Sequence, residues 1–229
     1  MDTTTPNGAK RFELSTRISA RGRGFWWRAR DAKSGASVLA VVIERAAKER
    51  EAYLEAQRAL ASHPAFAFPL GIEDLGADLL VAFEDSPGPE LGAMSADELE
   101  PVAVELLDLL AQAHRRDSVH PGIDAPAVSL RRDDERVRVQ LRGLGLPSDA
   151  TRRPSHDMVD LGRHLRRLLR PGHAVDDPLA RVLERAVSPD DRFIDADHML
   201  ATLLPLDIER RVTDLNLLRG LRRLNGPFA

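Results

Sequence analysis

The sequence predicts an α+β protein in two regions: a five-stranded lobe with one inserted helix, then a mostly helical lobe. Three observations carry this. Residues 12–44 hold three stretches rich in apolar, aromatic or β-branched residues, parted by glycine turns. From Arg45 the composition turns to Ala, Glu, Arg and Lys. From Ser95 onward apolar residues recur at helical spacing.

Each element follows in order. Phe12–Ser19, Phe25–Asp31 and Val38–Glu44 read as an antiparallel meander, with Gly22/Gly24 and Ser34-Gly35 at the turns. Arg45 to Ala61 reads as a helix that ends at His63-Pro64, because the residue before proline avoids the helical region. Two short strands follow, near Phe66–Gly71 and Leu79–Glu84, and a loop with Pro87, Gly88 and Pro89 closes the lobe. Ser95 and Glu98 make a capping box before a helix striped by Val102, Leu106, Leu109, Leu110 and Ala113, which Pro101 kinks or restarts. Val128–Leu130 and Val137–Leu141 read as a small hairpin. Met158, Leu161, Leu165 and Leu168 mark a further helix. Asp177 with Pro178, and then Asp195, open two more. Residues 1–11 read as a disordered polar tail, 12–88 and 89–204 as the two lobes, and 205–229 as an amphipathic helix.

Composition excludes several chemistries. The absence of cysteine removes disulfides, thiolate catalysis and Cys-based zinc sites, and fits a cytoplasmic protein. The net charge of -3 argues against nucleic acid as a partner. No apolar run reaches membrane-spanning length. The seven histidines show no ligand spacing with carboxylates, so no metal is expected. Only three of the 33 basic residues are lysines, which we read as the codon bias of a GC-rich, bacterial genome.

Several local motifs, in the correct order, resemble bacterial eukaryotic-type Ser/Thr protein kinases. Ile18 to Asp31 is similar to the glycine-rich strand-turn-strand, and Leu39-Ala40-Val41-Val42 to the third-strand Val-Ala-Val-Lys. The helix with Glu51 and Glu55 resembles helix C, and Val81-Ala82-Phe83-Glu84 the hinge, with Phe83 at the gatekeeper position. Leu107 to Val128 resembles helix E and the catalytic loop, Val139 to Leu146 the strand and turn of Asp-Phe-Gly, and Asp157 to Leu169 helix F.

The resemblance implies where chemistry should sit, and there it fails. Phosphoryl transfer needs a lysine on the phosphates, an acid that positions the nucleophile, and Asn and Asp on magnesium. Val42 stands at the lysine position, Gly122 at the catalytic Asp, Ala127 at the Asn and Gly143 at the metal-binding Asp. The glycine-rich loop becomes Ser19, Arg21 and Gly24, and Trp26 replaces the small residue that roofs the base. A vestigial cleft of Ser19, Arg21, Gly24, Trp26 and Phe83 is therefore expected to be filled. Leu144 to His156 is too short for an activation segment, which leaves Arg192 without its usual glutamate. Asp157 is expected to hydrogen-bond the catalytic-loop backbone, and His120 and Leu144 to fill packing positions.

The expectation is a degenerate kinase, a pseudokinase without cofactor, acting as a scaffold or allosteric regulator. The alternative is a nucleotide-sensing switch, which requires Trp26 and Trp27 to point away from the cleft. Rescue of catalysis by Arg21, Arg23, Asp117 or Asp124 competes with their reading as solvated charges. Thr3, Thr4 and Thr5 are candidate phosphoacceptors, weighed against an ordinary polar tail. They suit an active Ser/Thr kinase or a phosphothreonine-reading domain as partner. Ile208, Val212, Leu215, Leu218 and Leu221 form an apolar stripe that packs on its own lobe or on a partner.

Overall fold

The computed structural model describes residues 11–21, 24–85, 93–132, 137–170 and 177–204. Five strands, β1 (Phe12–Arg21), β2 (Gly24–Asp31), β3 (Ser37–Ile43), β4 (Gly71–Leu75) and β5 (Asp78–Glu84), form an antiparallel sheet in the order β1-β2-β3-β5-β4. Helix α1 (Arg50–Leu60) follows a short 3-10 turn, Ala47–Glu49, and connects β3 to β4.

The sheet twists until its two ends meet. β1 and β4 stand at opposite ends of the strand order, yet the Arg11 amide donates to Glu73 Oε1 at 3.0 Å. A Cβ on Gly71 would lie 2.8 Å from the Phe12 ring. The enclosed side holds Phe12, Trp27, Ala29, Val38, Ala40, Val42, Leu80 and Ala82. Arg11 pins the junction with a two-pronged bond to Asp31, at 3.1 and 2.8 Å. That bond and the Lys33 amide hold the Asp31 carboxyl far below the usual carboxylate range, against its own desolvation.

The second lobe is built on α2 (Ala96–His114), the hairpin β6 (Val128–Arg132) and β7 (Val137–Leu141), α3 (Pro154–Leu168), α4 (Pro178–Val187) and α5, residues 196–204. The Ser95–Glu98 capping box is formed, and with Arg132 it holds the Glu98 carboxyl down at about 2. Asp177 caps α4 through the amides of Leu179 and Ala180, and the Asp195 carboxylate accepts from the His198 amide at 2.9 Å. α3 and α4 approach closely at Gly162, where a Cβ would stand 2.7 Å from that of Ala186.

One carboxylate ties this lobe together. Asp157 on α3 is fully buried. Its Oδ2 accepts from the His120 amide at 2.9 Å and meets His114 Nε2 at 3.0 Å, while Oδ1 accepts from Arg152 at 3.0 Å. Arg152 also donates to Asp160 at 2.7 Å and to the His120 carbonyl. Burial pulls the Arg152 guanidinium down, but Asp157 and Asp160 outweigh it and leave it raised.

Three expectations need correction. The strand expected near Phe66–Gly71 begins only at Gly71. Phe66 instead bridges Leu141 of β7 in parallel, since Pro69 has no amide to extend the main ladder backwards. Glu51 and Glu55 of α1 are exposed; Tyr53, Gln57 and Leu60 face inward. Arg45 has positive φ (55°), so the helix starts later than its composition suggests. Pro101 does not divide α2, which is continuous. Thr3, Thr4, Thr5, Ile208, Val212, Leu215, Leu218, Leu221 and the 88/89 boundary lie outside the described residues.

Removing one partner of a buried ionic cluster strands the others. Asp157→Ala is therefore expected to cost about 3–5 kcal/mol of unfolding free energy, read by urea denaturation. His164 on α3 supplies a second test. Burial, and then Arg167, lower its imidazole to about 4. The unfolded state, with an ordinary value of about 6.5, binds the proton first as pH falls. Stability should therefore drop between about pH 6.5 and about pH 4, by about 3 kcal/mol for this group. His164→Gln should flatten that slope in melts taken across the range.

Candidate functional site: the cleft between the lobes

Strand pairing sets which residues face the cleft. Trp26 stands opposite Val41 on β3 and Ser19 on β1, so the three share one side of the sheet. Leu39 and Phe83 pair on that same side, as do Val41 and Val81. Val42 therefore faces the other way, into the enclosed cluster with Trp27 and Ala40. This corrects its placement as the cleft-facing residue of β3. The cleft side carries Leu39, Val41 and Ile43, and no lysine stands on β3 in either register.

The Trp26 indole fills the space beneath the sheet. It is 3% exposed and tilts against Phe83 with ring centroids 6.0 Å apart. From the other lobe Gly143 meets it, where a Cβ would lie 3.6 Å from Trp26 Cζ2 and 3.2 Å from Leu146 Cδ1. Gly143 has φ +81°, a conformation that a side chain strains. A side chain there would press on Leu146 and sit against the indole, on a strained backbone. Gly24 is buried at the end of β2, opposite Arg21 in the β1 ladder.

The loop between α2 and β6 holds the positions of the catalytic acid and the Asn. His120 is fully buried. Its Nδ1 lies 3.0 Å from the Gly122 amide and accepts from it; its Nε2 lies 2.7 Å from the Arg142 carbonyl and donates to it. An amide on one side and a carbonyl on the other assign the neutral Nε2–H tautomer. Burial lowers its pKa, which agrees. Gly122 and Ala127 are buried and present no acid or amide. The Ala127 carbonyl accepts from the Arg142 amide at 2.7 Å.

Two polar residues cross the cleft: Arg142, which the sequence reading left out, and Asp124, which it weighed between rescue of catalysis and a solvated charge. Arg142, 4% exposed, donates to the Pro126 carbonyl at 3.1 Å and to the Glu84 carbonyl at 3.0 Å. It thereby ties the end of β5 to the catalytic-type loop. Asp124, also buried, accepts from the Ser19 hydroxyl at 2.9 Å and latches β1 to the same loop. Asp124 is thus no solvated surface charge, while Asp117 is exposed. An arginine directly before the degenerate Asp-Phe-Gly was the available signal for the first bridge. Nothing local marks the second.

α1 closes the cleft's inner end. Gln57 Nε2 donates to the Leu144 carbonyl at 3.1 Å, and Gly145 lies where a Cβ would stand 2.9 Å from that of Ala56. No lysine–glutamate pair links α1 to β3 among the described residues. Arg192 is exposed and donates to the Ser188 carbonyl at 2.8 Å. Among the described residues no group of three or more His, Asp or Glu is placed to hold a metal ion. None of their helices is long and apolar enough to cross a membrane.

No protein-family model and no curated protein sequence matches this chain. Solved structures do. The kinase domain of Mycobacterium tuberculosis PknI, as a double mutant, superposes with TM-score 0.52 at 16% identity, covering 90% of this chain and 99% of that one. Rad53 1-466 in complex with AMP-PNP gives 0.55 at 16% identity, covering 85% and 66%. The Cydia pomonella granulovirus kinase PK-1 gives 0.55 at 12% identity, covering 83% and 92%. Likeness at such identity speaks for fold alone. The chain superposes on these kinase domains over most of its length, and with its five-stranded lobe, inserted helix and shortened helical lobe it has a two-lobed protein-kinase-like fold.

Proposed function

We propose that this chain is a non-catalytic module of the protein-kinase fold that works by binding other proteins. The observation that carries the reading is the Trp26 indole, 3% exposed and packed against Gly143 and Phe83. It occupies the space where a nucleotide would have to lie between the lobes. Electrostatic stabilisation and metal binding are the main source of rate in phosphoryl transfer. The positions that would supply them hold Gly122, Ala127 and Gly143, and β3 offers no lysine. The charged groups that do reach the cleft, Arg142 and Asp124, are bonded to protein atoms.

The nucleotide-sensing alternative needs both tryptophans turned away from the cleft. Trp27 is turned away and Trp26 is not, which favours the binding module. A place in the cytoplasm, in a bacterial signalling or assembly complex, accords with a cysteine-free, arginine-rich composition. An active Ser/Thr kinase or a phosphothreonine-reading domain is the proposed kind of partner, with the threonines at 3–5 as the point of contact.

Thermal melts of the purified chain with ATP, alone and with magnesium or manganese, test the filled cleft. A ligand at a hundred times its Kd adds about 2.7 kcal/mol to native stability. No rise in Tm at millimolar ATP is expected. A saturable rise overturns the reading, and a rise only with metal revives catalysis. In the same assay Trp26→Ala should lower Tm through loss of about 3–5 kcal/mol of packing. Gly143→Asp should lower it through about 1–3 kcal/mol of backbone strain and crowding against Leu146.

A further inference from the structure

α3 shows its charge on one side. It buries residues 157–162, 164 and 165. Along its second half it exposes Arg163, Arg166 and Arg167. Residues at i, i+3 and i+4 are neighbours on a helix surface, so the three form one strip. Arg170, just past the helix end, is exposed too, and its amide donates to the Met94 carbonyl at 2.8 Å.

Carboxylates answer little of this charge. Asp157 and Asp160, the acids of α3, are buried and bonded to Arg152. Glu184 of α4 pairs with Arg166 at 2.7 Å, in an exposed pair. Arg163, Arg167 and Arg170 take no ion pair among the described residues. Like charges at this spacing repel, which disfavours the helix. The helix dipole offsets the repulsion for Arg166 and Arg167 in the last turn, but it falls off before Arg163. The strip concentrates positive charge on a chain whose net charge is -3.

Three kinds of polyanion could meet such a strip, and its surroundings choose among them. Nucleic acid bases need an aromatic platform, and neither α3 nor α4 holds a Phe, Tyr or Trp. Insertion into a membrane surface needs exposed apolar side chains beside the cations. Here Leu161 and Leu165 are buried, and Leu168 and Leu169 are half-buried against the core. Carboxylates on a second helix fit, because they repeat at the spacing of the arginines themselves. We propose that the Arg163, Arg166 and Arg167 strip of α3, extended by Arg170, docks an acidic helix of a partner protein. Guanidinium–carboxylate pairs would hold it, two-pronged where the geometry allows. The chain's own last segment is a poor occupant, since residues 205–229 hold five arginines against three acids. A second copy is the competing occupant, through Glu51 and Glu55, exposed at i and i+4 on α1.

This inference gives the binding module a partner of stated chemistry and rests on that reading. The two fail separately. An ATP-induced rise in Tm with peptide binding intact removes only the filled cleft, and lost peptide binding without an ATP response removes only this face. The probe is a fluorescent, alanine-based helical peptide of about 20 residues with glutamates at i, i+3, i+4 and i+7. It is titrated by polarisation with the full chain at low salt. A control peptide spreads the same glutamates around the helix. The expected result is saturable binding that weakens several-fold with the control, at least tenfold in Arg163→Gln/Arg167→Gln, and steadily as salt is added. Amide shifts in NMR spectra should move most at residues 163–170. The double variant should melt no lower than the parent, because it removes like charges. No saturable binding at millimolar peptide overturns the proposal. So does equal binding of the control peptide, or binding indifferent to the double substitution. A marked fall in the variant's Tm assigns the arginines to stability and overturns it as well. Tighter binding of oligouridylate or phosphatidylserine vesicles to the same strip hands the face to a different partner. Self-association lost in both the double variant and Glu51→Gln/Glu55→Gln hands it to a second copy.

Discussion

A carboxylate sealed from water must be met by donors, and Asp157 is the one on which the helical lobe closes. It draws the His120 amide, the His114 ring and Arg152 to a single point on α3. That fixes the loop after α2 at His120. With His120 placed, its imidazole orients both Gly122 and the Arg142 carbonyl. The chain then turns at Gly143 directly beneath Trp26. The loop, the turn and the cleft thus follow from the satisfaction of one buried charge.

The cleft makes sense as an interior. An active centre keeps charged groups poised for a substrate, at a cost in stability. Here the groups that reach the cleft answer one another. Arg142 donates to two carbonyls from opposite lobes, and one oxygen of Asp124 accepts from the hydroxyl of Ser19. The bulkiest side chain of the glycine-rich hairpin lies where an open site would leave space. Interiors pack to crystal-like density, so an indole buried there and a bound nucleotide are competing solutions for the same volume.

The short segment before α3 ties the loop after α2 to that helix. Arg152 holds the His120 carbonyl and bridges Asp157 and Asp160, two carboxylates one helical turn apart. Two acids at that spacing on a helix face that buries demand a cation, and Arg152 supplies it.

Sequence alone determined the elements whose causes are local. Ser95 with Glu98, Asp177 with Pro178, and Asp195 each mark a helix start because a cap bonds within three residues. The meander, the hairpin Val128–Leu141 and the burial of His120 and Asp157 were legible in motif order. Tertiary structure alone decided which way β3 faces. Its run Val38–Ile43 is apolar on both sides, so no period-two pattern tells Val41 from Val42, and only pairing with Trp26 and Phe25 does. It also decided that Phe66 serves β7 instead of β4, and that Arg142 spans the lobes. Those partners are 16 to 75 residues apart in the chain. No local pattern encodes such contacts, because they exist only once the lobes have met.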